Sequence, residues 1–412
     1  MNYPAITVTM ISFKEALDFI QAIGPLPEEQ TLVADALSRV LSRPVVSRVS
    51  APSVTSSLKD GYAVISDDIK QASRMKPVWL DLKGTVTAGD HCGQRLEHGQ
   101  AIKLMTGAPV PAGATAILPQ ELTLVEKDGR VAAAADSEKG RNILAKGADI
   151  IEGEVVLEEG TVINPAVSGL ISASGNQKVW TYRLPRISVL ATGSELAEEG
   201  TGSMQGKIFP SNRATIASWL KEFGLECKTA LCGDDAHELH RILGSLVDSS
   251  DVVITSGGVL DGEKDLVISV MEKLGVEFLF KRCRIGPGKG VCMGTKDGKF
   301  LFNLPGGPPS NYVAFLFIAL AAILRLTGRS QTFPPRARAT ITSELKGRSD
   351  WTQLILAKAS WQGLSMTAAP VLETSRLKRI CFANSIIVLP EGVSRVSRGD
   401  SAEIRILFPL EM

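Results

Sequence analysis

DVVITSGGVLDGEKD, residues 251–265, joins a strand, a glycine turn and an acidic loop in one short stretch. Val252, Val253 and Ile254 form a β-branched run with no polar face, as expected of a strand buried on both sides in a parallel sheet. The run stops at Ser256-Gly257-Gly258. Glycines there let the backbone turn sharply and bring its N–H groups up to an anion with no side chain in the way. Glu263 and Asp265 follow where the loop enters a helix, beside any phosphate the glycines hold, in a place suited to binding Mg²⁺ through oxygen. A plainer reading also fits: an ordinary strand-to-helix turn whose acids favour the positive end of the helix macrodipole.

Outward from this stretch, strands and helices alternate. Upstream, after Arg183-Leu184-Pro185, an apolar strand at Ile187 to Ala191 ends in Thr192-Gly193-Ser194-Glu195. Ser211-Asn212-Arg213 opens a helix to about Phe223, and a strand near Thr229 to Cys232 leads into Gly233-Asp234-Asp235 and another helix. Downstream come a helix through Leu274, a strand at Glu277 to Phe280, a glycine loop at Gly286 to Gly290, and a strand at Phe300 to Asn303. Leu304-Pro305-Gly306-Gly307 then introduces an apolar helix. This order predicts a doubly wound α/β domain, in which ligands bind beyond the carboxyl ends of the strands. That geometry collects Glu195, Asp234, Ser256, Gly257, Gly258, Asp265, Lys289 and Gly306 on one rim. Carboxylates crowded together repel unless a divalent cation sits among them, whereas the glycine loops, Lys289, Arg282 and Arg284 supply the sign that suits an oxyanion. Both signs in one cleft fit metal-assisted phosphoryl chemistry; acids that each cap their own helix remain the alternative.

The rest of the chain is modular, since 412 residues exceed one compact core and imply roughly two to four domains. Ser12-x-x-Glu15 is a capping box for a first helix, and a second helix is expected over Thr31 to Leu41. Pro44-Val45-Val46 switches to extended chain, and residues 46–141 read as a mainly β module. Within it Lys59 to Ala63 (KDGYA) and Met105 to Pro111 (MTGAPVP) read as loops, the second stiffened by proline and glycine around a hydroxyl. Beyond the double proline at Pro334-Pro335, short strands at Ala337 to Thr342, Trp351 to Lys358, Ser385 to Leu389 and Ser401 to Phe408 suggest a small β-barrel-like domain.

Composition excludes several classes. Lysine and arginine number 45 against 44 acids, a net charge of +1, so no global field draws nucleic acid or an anionic membrane. The N-terminus lacks the pattern of a secretory signal, and the apolar run Tyr312 to Leu324 is too short to span a bilayer, so an intracellular, cytoplasmic protein is expected. The six cysteines form no C-x-x-C pair and are expected to be reduced, mostly buried thiols. His237 and His240 lie three apart on a helix, but with no third ligand nearby they fit a solvated face better than a metal site.

In order, the motifs are DGYA at Asp60 to Ala63, MTGAPVP, G-x-N-I with G-x-D-I at Gly140 to Ile150, TGSEL at Thr192 to Leu196, SGG with a trailing acid at Asp265, PGK at Pro287 to Lys289, and LPG at Leu304 to Gly306. With these in register the chain resembles the MoeA family, the molybdopterin molybdenumtransferases related to the E domain of gephyrin. The resemblance implies a split helical and β domain at 1–45 and 142–182, an inserted β domain at 46–141, a doubly wound molybdopterin-binding domain at 183–330 and a C-terminal β domain at 331–412. It implies insertion of molybdate into adenylylated molybdopterin with release of AMP, assisted by Mg²⁺ or another divalent cation. It also implies a homodimer in which Asp60 and Thr106 of one subunit complete the site of the other, and a molybdopterin adenylyltransferase as a partner. By motif, Asp60, Thr106, Glu195, Asp265 and Lys289 carry catalysis; Glu195, Asp234 and Asp265 hold the metal; and Ser256, Gly257, Gly258, Asp149, Pro305 and Gly306 bind the pterin substrate. A non-catalytic pterin-binding scaffold is the alternative.

The chain departs from the family's pattern in places. Ser194 stands where an acid is usual, Gly286 where a lysine is usual, Gly307 where an asparagine follows LPG, Lys59 for a methionine and Gly290 for a proline. A lost lysine removes a point charge from an oxyanion site, and a lost asparagine removes both a donor and an acceptor.

Overall fold

A computed structural model describes residues 10–91, 93–198, 200, 205–257 and 266–410. Cys92, Gly258, Glu263 and Asp265 therefore lie outside the described residues. The chain divides into two compact units, one of residues 10–29, 38–42 and 180–410, the other of residues 30–37 and 43–179.

In the first unit Ser12 opens helix α1 (Phe13–Gln21) with the expected reciprocal cap. The Glu15 N–H donates to Ser12 Oγ at 3.2 Å, and the Ser12 N–H donates to the Glu15 carboxylate at 2.7 Å. Ala16 and Ile20 fall on its buried face. The second helix expected over Thr31 to Leu41 does not form; a single 3-10 turn, Val33–Asp35, is all that appears. Extended pairing outcompetes helical propensity there: the Ser42 N–H donates to the Trp180 carbonyl at 3.0 Å, the Val33 N–H donates to the Gln177 carbonyl at 3.1 Å, and Ser38 sits at φ 66°, which no helix accommodates.

The second unit is mainly β. Strands β1 (Gly61–Val64), β2 (Val78–Val86), β3 (Gln100–Leu104), β4 (Ala116–Pro119), β5 (Thr123–Lys127) and β6 (Arg130–Ala133) form one sheet in the order β4-β1-β3-β2-β6-β5. The segment read as a loop at Lys59 to Ala63 is therefore loop only as far as Asp60. All of β1 is buried between β4 and β3, and burial on both faces erases the alternation that marks a strand in sequence. Helix α2 (Pro165–Ala173) is capped by Asn164, whose side-chain oxygen accepts the Val167 N–H at 2.9 Å.

The first unit continues with β7 (Ile187–Thr192), α3 (Ser211–Glu222), β8 (Cys227–Cys232), α4 (Ala236–Ser249), β9 (Val252–Ser256), α5 (Leu266–Lys273), β10 (Glu277–Phe280), β11 (Cys292–Lys296) and β12 (Lys299–Leu304). The sheet order is β8-β7-β9-β12-β11-β10. β8, β7, β9 and β12 are parallel, as expected; β11 runs antiparallel to both neighbours, a strand the sequence reading missed. Alternate residues of β9 serve opposite faces. Val252 and Ile254 join Ile216, Leu220 and Phe315 in one core, while Val253 packs with Leu239, Leu243 and Val270 in another. An uncompensated charge inside either core would cost several kcal/mol, which is why the run carries none.

Helix α6 spans Pro308–Leu326, longer than the apolar run suggested and of a length able to cross a membrane, but its apolar window is 83% buried. It is a core helix. After it, β13 (Arg336–Ile341), β14 (Thr352–Gln362), β15 (Ser365–Pro370), α7 (Arg376–Phe382), β16 (Ser385–Leu389) and β17 (Ser401–Ile406) follow. The strands run β14-β15-β13-β17-β16, and pairing of β14 with β16 closes them into a barrel. Among the described cysteines Cys232, Cys283 and Cys292 are buried, Cys227 is half-buried and Cys381 is exposed; none is in a disulfide. Burial pushes the Cys283 thiol up to about 12, which makes it inert.

Candidate functional site

β7 and β9 lie side by side and end together, and the turns that leave them are locked to one another. Gly257 (φ 109°) is held so near β7 that a Cβ there would come 2.2 Å from the Thr192 carbonyl oxygen, so only glycine is tolerated. Gly193 (φ 149°) lies under the Glu195 carboxylate, which a Cβ would meet at 2.5 Å. The turn that presents Glu195 is pinned along its length: the Leu196 N–H donates to the Gly193 carbonyl at 3.1 Å, and the Ile208 N–H donates to the Glu195 carbonyl at 2.8 Å. The buried Arg213 of α3 grips Glu198 through both nitrogens at 3.1 and 2.8 Å.

Asp234, beyond β8, is brought to the same place by Ser194. The Ser194 N–H donates to its carboxylate at 2.9 Å, and the Asp234 N–H donates back to Ser194 Oγ at 3.2 Å. The Lys207 ammonium donates to the Ser194 carbonyl. Glu195 and Asp234 are both exposed. As hard oxygen donors at neighbouring strand ends they suit Mg²⁺, which commonly takes one or two protein carboxylates and completes its shell with water and phosphate. Among the described residues no group of three or more His, Cys, Asp or Glu side chains is placed to hold a metal by itself.

Ser256 ends β9 and is buried. Its hydroxyl accepts from Asn212 Nδ2 at 3.1 Å and from Asn311 Nδ2 at 2.9 Å. The same two amide nitrogens donate to the carbonyls of Gly306 and Pro305, each at 2.9 Å. The LPG turn, α3 and α6 are thereby tied to one serine. Glu195, Ser256, Gly257 and Gly306 line a single cavity of about 100 Å³ together with Thr192, Asn212 and Phe209. Thr192 is only 3% exposed, and its hydroxyl has no hydrogen-bond partner among the described residues.

Lys289 stands on the same rim but toward its other end. It lies in the loop between β10 and β11, its carbonyl accepting the Cys283 N–H at 3.1 Å and its side chain exposed. Strands lie about 4.8 Å apart, so the four steps from β8 to β11 separate the Asp234 and Lys289 loops by about 19 Å across the sheet. The loop reaches back toward the middle: a Cβ at Gly288 would sit 3.4 Å from the Ser310 carbonyl oxygen, in the first turn of α6. Of the nearby arginines, Arg284 is paired with Glu391 at 3.2 Å.

In the other unit, Asp60 Oδ1 accepts the Thr106 N–H at 2.6 Å and the Thr106 hydroxyl at 2.7 Å, so the DGYA and MTGAPVP motifs meet in one exposed pair. The Thr106 hydroxyl, and then its N–H, hold the Asp60 carboxyl below the usual carboxylate range. Asp149 is exposed on a different loop, where its N–H donates to the Ala51 carbonyl at 3.0 Å.

Thr192, Asn212, Asn311 and Lys207 are site residues that the sequence reading passed over. Thr192 and Asn311 carry a detectable signal, a polar residue set at the mouth of an otherwise apolar strand or helix.

Comparison with known proteins places this geometry. Residues 11–175 match the model of the MoeA N-terminal region (domain I and II), and residues 188–325 match a probable molybdopterin binding domain. A curated molybdopterin molybdenumtransferase of Haemophilus influenzae is 31% identical over 397 residues, 92% of this chain and 94% of that protein. One from Staphylococcus epidermidis is 29% identical over 400 residues, 96% of this chain and 95% of that protein. The crystal structure of a molybdopterin biosynthesis MoeA protein from Pyrococcus horikosii superimposes with a TM-score of 0.82 at 27% identity, covering 97% of this chain and all of that one.

Proposed function

Because the chain belongs to the MoeA family of molybdopterin molybdenumtransferases, we propose that it inserts molybdate into adenylylated molybdopterin in the cytoplasm and releases AMP. The observation that carries this reading is the convergence of Glu195, Ser256, Gly257 and Gly306 on one cavity at the carboxyl ends of parallel strands, with Asp234 tethered beside it.

In this reading Glu195 and Asp234, joined by Asp265, hold Mg²⁺. When bound, the cation neutralises charge on the pyrophosphate of the adenylylated pterin. Ser194 keeps the Asp234 carboxylate aimed at the rim, and Arg213 fixes the Glu195 turn through Glu198. Gly257 and Gly306 pack the two turns closely enough to hold the cavity's shape, and Lys289 offers its ammonium to molybdate at the far end. Water attacks the pterin-side phosphorus and the P–O bond to AMP breaks with its electron pair leaving on AMP; the two dithiolene thiols bind the molybdenum as one oxygen of molybdate departs as water with their protons. No protein nucleophile is required, so positioning and charge neutralisation supply the rate gain. Asp60 and Thr106 act in the site of a second copy of the chain, and Asp149 binds the pterin substrate handed over by an adenylyltransferase.

The test is direct: purified protein, adenylylated molybdopterin, molybdate and Mg²⁺ are mixed and AMP is followed. Release that requires both molybdate and Mg²⁺ is expected. Tight binding of the adenylylated pterin without release would instead mark a binding protein, and a need for added ATP would mark an adenylyltransferase.

A further inference from the structure

Helix α7 buries none of its residues, and at seven residues it is too short to be stable on its own. Local bonds hold it in place: the Lys378 N–H donates to Ser375 Oγ at 3.4 Å, and the Arg379 guanidinium donates to the Glu373 carbonyl at 2.8 and 2.6 Å. Between α7, strands β14 and β15 and the chain just after β17 lies a groove of about 630 Å³, lined by Lys358, Val371, Cys381, Phe382 and Phe408. It shares no lining residue with the cavity that Glu195 lines. Phe382 is 53% exposed and Phe408 43%, and Leu377 and Lys378, one turn before Cys381 and Phe382, continue the same helix face. Phe408 is fixed in this position by stacking on Trp219, ring centroids 5.3 Å apart. The rim is positive. From residue 358 to 382 four bases, Lys358, Arg376, Lys378 and Arg379, stand against one acid, Glu373, whose carboxylate is turned to the Ser375 N–H at 3.1 Å. Arg376 and Lys378 are exposed and have no ion-pair partner among the described residues.

The geometry points to a docking groove for a segment of a second protein that carries an aromatic or branched apolar residue flanked by acids. The apolar side chains of the groove cover the anchor, and Arg376 and Lys378 meet the flanking carboxylates. A small polar ligand is not favoured, because the polar groups of the floor are spent inside the fold. The Asn384 amide donates to the Ala359 carbonyl at 2.8 Å and accepts the Ala359 N–H at 2.7 Å, and its backbone carbonyl accepts the Leu407 N–H at 2.8 Å. A bilayer fits less well, since the two aromatic rings line a hollow and a membrane engages side chains that protrude from one face. The inference is independent of the transferase reading and concerns what the protein assembles with.

Random peptides displayed on phage, selected against the full-length protein, test this, and a synthetic copy of the consensus is then bound in solution. The consensus should hold acids on either side of an aromatic or branched apolar residue, and the peptide should protect Cys381, the exposed cysteine among those described, from iodoacetamide. Phe382→Ser and Lys378→Glu should each weaken the peptide by about tenfold, the loss of one anchor or one facing charge, and Lys378→Glu should also flatten its salt dependence. Both positions are exposed, so the melting temperature and AMP release should stay at the wild-type level. A consensus without acids, a peptide that leaves Cys381 reactive, or one that binds both variants as tightly as wild type overturns the groove. Failure to select any consensus overturns it too, as does a preference for phosphatidylserine vesicles that the same variants abolish. Absence of AMP release from the wild type, with the peptide pattern intact, removes the transferase reading and leaves the groove standing.

Discussion

Replacing Thr192 by valine should make the protein more stable, and the sign of that change separates an unsatisfied hydroxyl from a structural one. Valine is nearly isosteric with threonine and equally at home in a strand, so packing and propensity barely change. What does change is the hydroxyl, which is 97% removed from solvent with its residue and has no partner among the described residues. A buried polar group left unsatisfied costs about 1–3 kcal/mol, and that cost disappears with the oxygen. For a folding unit of this size about 1 kcal/mol moves the melting temperature by about 2–4 °C. The expected rise is therefore about 2–12 °C for the transition of the unit that contains the doubly wound sheet, followed by scanning calorimetry without ligand. Thr192→Ser gives the control: it keeps the oxygen and removes a methyl, so it should sit at or slightly below wild type. A lower melting temperature for Thr192→Val would refute the reasoning, because it would mean that the hydroxyl is held by the fold.

Asp251, just before β9, gives a pH-dependent test at the opposite end of the neighbouring strand. Burial pushes its carboxyl up, but hydrogen bonds from Arg183 and Arg186 outweigh this and hold it far below the usual range. A carboxyl depressed on folding contributes stability above its unfolded value of about 3.9 that is lost as pH falls toward its folded value; Asp251→Asn should cost about 1.5–3 kcal/mol at pH 7 and flatten the acid limb of the unfolding curve below about pH 4, read by urea titration at several pH values. Asp234→Ala breaks the exchange with Ser194 as well as removing a proposed metal ligand, so AMP release should fall and the Mg²⁺ needed for half-maximal rate should rise by about tenfold to a hundredfold; an unchanged Mg²⁺ dependence would remove Asp234 from the metal site. Asp60→Asn should reduce AMP release by at least about tenfold with the melting temperature unmoved, since the pair with Thr106 is exposed. In mixed dimers, one subunit carrying Asp60→Asn and its partner Glu195→Gln, one composite site is doubly damaged and the other intact, so about half the wild-type rate should return; a rate near zero would place both acids in the same subunit's site.

What the sequence revealed and what it hid follow from how far each feature depends on partners distant in the chain. The parallel strands were legible because double-sided burial writes itself as an apolar run, as at Val252 to Ile254. The capping box of α1 was legible because both its hydrogen bonds close within three residues. Strand β1 was hidden by the same double-sided burial that made β9 plain, because its residues Gly61 and Tyr62 are not β-branched aliphatics. The missing helix at Thr31 to Leu41 was decided by carbonyls about 140 residues away, at Gln177 and Trp180, which no local pattern reports. The double-amide grip on Ser256 is of the same kind, since its donors lie 44 residues before it and 55 after.

The departures from the family's motifs acquire different meanings once the contacts are known. Ser194, where an acid is usual, still accepts the Asp234 N–H through its hydroxyl, so the lock survives while one negative charge leaves the rim. Gly307 lacks the usual amide, but Asn311 stands four residues on, close to one turn along the helix and on the same face, and its amide reaches back to the Pro305 carbonyl and to Ser256. Donor capacity at the LPG turn is relocated by a helical turn. Around Gly286, Arg284 is committed to Glu391 and Lys207 lies on the turn of β7, several strand positions from the Lys289 loop, which leaves Lys289 and Arg282 as the cations of that loop. In the proposed reading the oxyanion end then relies on Lys289 and Arg282, with one positive charge fewer than the family's pattern. On the proposed function a weaker hold on molybdate is expected, and it should appear as a raised KM for molybdate that is accentuated by salt, because the Lys289 charge is exposed and screened.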